Sequence, residues 1–139
     1  MGNIYDTENA LFTQRNLNVN ATAPSDIAIV PVMNSTAWEP LVIRVRDASV
    51  HNAGMTFASL ASATIAVFTG AGGTGTTIVA ATALASITSA GAGQSLVISP
   101  AAGTVQTAQS LYVRLTVAAG VAGLVDLVVL GLDWGQTPN

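Results

Sequence analysis

A chain of 139 residues has the size of one domain and can bury enough surface to fold unaided; it holds no cysteine, which excludes disulfides, thiolate nucleophiles and cysteine-held zinc. Half of it is apolar, 8% is charged, lysine is absent and the net charge is -3. Arg15, Arg44, Arg46 and Arg114 are the only fixed cations against seven acids, too few to follow a phosphate backbone, so nucleic acid is not an expected partner.

Residues 1–25 differ in kind from the rest. Five asparagines fall before Ala21, and the apolar residues Ile4, Tyr5, Leu11, Phe12 and Leu17 are scattered without a period. This composition predicts either a poorly ordered tail or an extended N-terminal arm that orders only against a neighbouring subunit, with a separate domain over residues 26–139. The opening MGNIYDTENA has neither the basic start nor the apolar run of a secretion signal.

Strands are predicted from residue 27 onward. Residues 27–33 are short and carry Pro31, which confines them to an edge or a strand end. Pro40 opens 41–49, where Leu41, Ile43 and Val45 face one way and Val42, Arg44 and Arg46 the other. Residues 57–60 read as a short edge strand or a turn, 62–69 as a strand, 77–82 as another, and 94–99 as a further one closed by Pro100. An Ala-rich helix over 78–87 competes weakly, because the stretch is also rich in Thr and Ile.

The clearest pattern is 111–132. Leu111, Val113, Leu115 and Val117 alternate with Tyr112, Arg114 and Thr116, and after a glycine-rich stretch Val125, Leu127 and Val129 alternate again. Read as a hairpin turning at Gly120, the segment sets Arg114 opposite Asp126 as a cross-strand ion pair that pins the register. The strand alternation, the glycines and Asp126 also argue against a membrane-spanning helix here, so no membrane partner is expected. Seven or eight short strands at regular intervals define an all-β, antiparallel β-sandwich of jelly-roll type.

No catalytic, cofactor or metal site is expected. Gly70, Gly72 and Gly75 satisfy G-x-G-x-x-G, but the acid needed some twenty residues on is missing, and a hairpin turn explains the glycines better. His51, the one histidine, lies four residues from Asp47 and reads as a surface or hydrogen-bonded residue rather than a general base. Trp38 and Trp134 each sit beside a strand end and an acid, where a ring either covers the core or anchors an interface.

The segments WEPLVIRVRDAS, ATIAVFTGAGGTGTTIVAA and SLYVRLTVAAGVAGLVDLVVLGLDW, together covering much of 38–134, resemble small all-β virion proteins of tailed bacteriophages, of the head decoration or cement class. The resemblance implies a non-enzymatic protein of the phage head surface, assembled in the host cytoplasm. It implies a dimer or trimer that binds the major capsid protein or other virion proteins. Ile4, Tyr5, Leu11, Phe12, Leu17, Trp38 and Trp134 are then the expected interface residues. A head-fibre, neck or tail component is the alternative, as is a sandwich module that recognises a host glycan through an aromatic such as Trp38 or Tyr112. The missing lysines depart from the pattern and leave open whether the outer face meets water or protein.

Overall fold

The computed structural model describes residues 9–20, 26–29, 37–99 and 104–134. Within them lie β1 (Asn9–Asn18), β2 (Asp26–Ile29), β3 (Trp38–Asp47), β4 (Thr64–Gly70), β5 (Thr74–Ala83), β6 (Gly93–Leu96), β7 (Leu111–Val117) and β8 (Leu124–Asp133). They form two antiparallel four-stranded sheets, ordered β1-β8-β3-β6 and β2-β7-β4-β5. Among the described residues the only helical turns are two three-residue ones, and none is long and apolar enough to cross a membrane.

The pairing is nested: β1 with β8, β2 with β7, β3 with β6 and β4 with β5. This is a jelly roll, a long antiparallel ribbon folded at the β4–β5 hairpin and then rolled, so that β3 also pairs β8 and β4 also pairs β7. Six of the seven connections therefore cross from one sheet to the other. At the tip of the ribbon the chain turns through Gly72 and Gly73, both with positive φ, and Thr76 lies within β5. The glycine motif is thus a hairpin turn followed by a strand, where a dinucleotide fingerprint requires a helix.

Alternation supplies the core. Ile43 and Val45 on β3 and Val125, Leu127 and Val129 on β8 face Ile65 and Val67 on β4 and Leu111, Val113 and Leu115 on β7, all buried. Leu60, Leu84 and Ile87 close the layer from the loops. Residues 57–60 form no strand, and the Ala-rich stretch after Ile78 remains strand to Ala83 before turning.

Two expectations are corrected. Within the N-terminal segment, residues 9–18 are an edge strand of the chain's own sandwich: β1 pairs with β8, and Leu11, Phe12 and Leu17 are 2%, 0% and 3% exposed. The period looked absent because β1 carries register shifts between Ala10 and Phe12 and between Gln14 and Leu17. Bulges let consecutive residues such as Leu11 and Phe12 both turn inward, which no strict alternation reveals.

The second correction concerns β7 and β8, which are not a hairpin. They lie in opposite sheets, and residues 118–123 carry the chain across the core, a gap of about 10 Å between sheets. Val19 fastens the crossing on both sides, donating its N–H to Gly123 O at 3.2 Å and accepting from Ala119 N at 2.8 Å. Arg114 consequently faces Asp26 on β2 and Ala66 on β4, while Asp126 faces Arg46 on β3. A hairpin and a crossing produce the same inward alternation in each strand, so periodicity alone does not separate them.

The end of β3 is held by a buried carboxylate. Asp47 accepts hydrogen bonds from Ser49 N (3.2 Å), Ser49 Oγ (2.6 Å) and Gly91 N (2.9 Å), which ties β3 to the turn preceding β6. Asp47→Ala leaves these donors without their acceptor and is expected to cost about 1–3 kcal/mol in urea unfolding.

Candidate functional site

The polar feature with the most distinct geometry lies on the outer face of the β1-β8-β3-β6 sheet. Because Ile43, Val45 and Asp47 point inward on β3, Arg44 and Arg46 must point outward. Arg44 stands opposite Val128 on β8 and Ser95 on β6; Arg46 stands opposite Asp126 and Gly93. From the other side β1 sets Thr13 opposite Val128, with Arg15 two residues on. An open groove of ≈ 590 Å³ runs between them, lined by Thr13 and Arg15, by Arg44 and Arg46, and by Asp126 and Val128 of the intervening strand.

Both guanidinium groups lie beside glycines on the β6 side of the groove. Arg46 Nε donates to Gly91 O at 3.2 Å, and a Cβ placed on Gly91 or Gly93 would touch Arg46 Nη2 or Arg44 Nη2 at 3.6 and 3.7 Å. Arg46 thus leans toward β6, away from its cross-strand neighbour Asp126.

Asp126 is engaged elsewhere. Its Oδ1 accepts from Asn16 N at 3.0 Å and its Oδ2 lies 3.0 Å from His51 Nε2. Asn16 reaches it from a bulge in which its φ is 55°, a left-handed conformation that asparagine tolerates better than most residues. Asn52 braces the arrangement, its Nδ2 donating to Asn16 Oδ1 at 2.9 Å and to Ala48 O at 2.6 Å. With Asp126 so occupied, no ion pair among the described residues joins Arg15, Arg44 or Arg46 to a carboxylate. Three of the four arginines of an acidic chain therefore share one groove.

The other acids among the described residues lie on strands or positions away from it. Asp47 is turned into the core, Asp26 belongs to the opposite sheet, and Glu39 and Asp133 sit at the far end of β3 and β8. Chemically, such a groove matches carboxylate or phosphate oxygens, since each planar guanidinium offers a fork of donors that can grip two oxygens at once.

The residues singled out from the sequence are dispersed. Trp38 is 1% exposed, edge-to-face with Phe12 at a ring separation of 4.9 Å, and its Nε1 donates to Ala108 O at 2.8 Å. It is a core residue, as are Leu11, Phe12 and Leu17, and none of the four is presented as an interface anchor. Trp134 is 58% exposed, its Nε1 donating to Glu39 Oε1 at 3.3 Å. Ile4 and Tyr5 lie outside the described residues. His51 meets Asp126 rather than Asp47, and the Arg114–Asp126 pair is split between the sheets. Arg15 and the Arg44–Arg46 couple were not singled out as a site; the outward i, i+2 placement of the couple on β3 was the one signal available.

The described residues thus form an eight-stranded jelly roll with an arginine-lined groove on an outer face. Comparison with protein-family models, with curated proteins and with solved structures yields no match.

Proposed function

We propose that the chain is a non-enzymatic structural subunit of a tailed-bacteriophage particle, a decoration or cement protein that binds the head and stabilises the shell through subunit contacts. The observation that carries this reading is the nested pairing of eight strands, an architecture that recurs in viral capsid domains, taken with the sequence resemblance of residues 38–134. Fold alone does not assign function, so the surface must also suit assembly. Low charge, with Val97 80% exposed and further apolar side chains at the sandwich ends (Val50, Val117 and Val121 at one, Val105 and Trp134 at the other), fits contact with other subunits. A shell that binds only the folded form stabilises it by mass action, and the protein in turn holds together the subunits it bridges. The glycan-binding alternative loses Trp38, which is buried.

Cryo-microscopy of particles made with and without this protein tests the reading. Density for the sandwich on the outside of the head, lost in the deletion, is expected. Density at the neck, tail or a head fibre moves the assignment to that alternative, and absence of the protein from purified particles overturns the reading.

A further inference from the structure

We propose that the arginine groove is the seat for the acidic segment Asp6-Thr7-Glu8 of a second copy of this chain, so that copies join through Asp6 and Glu8 of one and Arg44 and Arg46 of the other. This goes beyond the virion assignment and does not depend on which assembly, if any, the protein joins.

The spacing on the two sides matches. Arg44 and Arg46 project from one face of β3, two residues and about 6.6 Å apart. Asp6 and Glu8 are also two residues apart and, in an extended chain, present their carboxylates at that same interval. They are the only two of the seven acids so close in sequence. Arg15, on the opposite wall, supplies a third guanidinium, and Val128 between the walls offers an apolar floor.

The direction of β1 favours a second copy over the segment's own subunit. Asn9 pairs with Gly131, whereas Arg46 lies level with Asp126, five residues or about 17 Å further along β8 and one strand beyond it. Because β1 runs from the level of Gly131 toward that of Asp126, a chain entering at Asn9 would have to reverse over its own sheet to reach Arg44 and Arg46, whereas a segment from a second copy needs no such reversal.

A nucleic acid suits the groove less well. Asp126 places a carboxylate between the walls, no aromatic ring lines them for base stacking, and the whole chain is at -3.

The test is sedimentation equilibrium of the full chain at low and high salt, with four further proteins: Arg44→Gln/Arg46→Gln, Asp6→Asn/Glu8→Gln, and a pair carrying complementary reversals. Self-association that weakens with salt, and whose Kd rises at least about tenfold in each neutralised variant, is expected. Arg44→Glu/Arg46→Glu mixed with Asp6→Arg/Glu8→Arg should associate where the charge-reversed grooves alone do not. A fluorescent MGNIYDTENA peptide should bind the wild type and not Arg44→Gln/Arg46→Gln. A chain that stays monomeric throughout, association unchanged in both neutralised variants, or a dT oligonucleotide outcompeting the peptide for the same arginines would overturn the proposal. None of these results bears on the cryo-microscopy outcome, so the two readings fail separately.

Discussion

Phe12→Ala should lower the unfolding free energy of the isolated chain by about 3–5 kcal/mol, read as a shift in the urea midpoint with little change in slope. The ring is fully buried and packs edge-on against Trp38, itself buried, so truncation opens a cavity between β1 and β3 that neither rigid strand can close. Against a total stability of about 5–15 kcal/mol, a loss of that size takes the chain near its threshold. The measurement discriminates sharply, because a segment that ordered only on a neighbouring subunit would leave the isolated chain within about 0.5 kcal/mol of wild type. Such a null result would detach β1 from the sandwich.

Gly131→Ala should be at least as damaging. A Cβ at this position would fall inside the van der Waals radius of the Glu39 carbonyl oxygen and press on Leu11 Cδ1 at 3.0 Å, so the obstacle is backbone on one side and core on the other. Gly131 pairs with Pro40, beside the bulge that accommodates the proline in a central strand. Relief requires β3 and β8 to separate, and a cost of about 3 kcal/mol or more, or failure to recover folded protein, is expected. Gly120→Ala is the control. Its Cβ would meet nothing within 4 Å, but its φ is 79°, so only the left-handed strain of about 1 kcal/mol applies. Thermal unfolding of the two variants side by side checks the ordering.

The residues whose alternation is uninterrupted announced their strands. In β7, in β8 and over residues 43–47 of β3 each buried side chain recurs at every second position, and the all-β sandwich class is legible from them. Where bulges break the period the pattern hides the strand: in β1 Leu11 and Phe12 are adjacent and Leu17 is out of step with them, so the sequence reads as an arm. The partners of a strand were harder still. Leu115 and Val125 look inward whether their strands pair or face each other across the core, and only long-range packing decides between the two. The groove inherits that difficulty: Arg44 and Arg46 could be placed on one outward face from sequence, but Arg15 joins them only once β1 is known to flank β8.

The nested pairing also dictates an order of events during synthesis. Phe12 faces Val129, so the strand that leaves the ribosome first waits for the one made last, while the β4–β5 hairpin can close midway. Topology of this kind makes folding slow, because distant ends must meet before their contacts reward the lost freedom of the chain. Until β8 emerges, the greasy sides of β3 and β4 have only part of their cover. A cell making this protein in bulk therefore holds a pool of half-finished chains for which chaperones and misassembly compete.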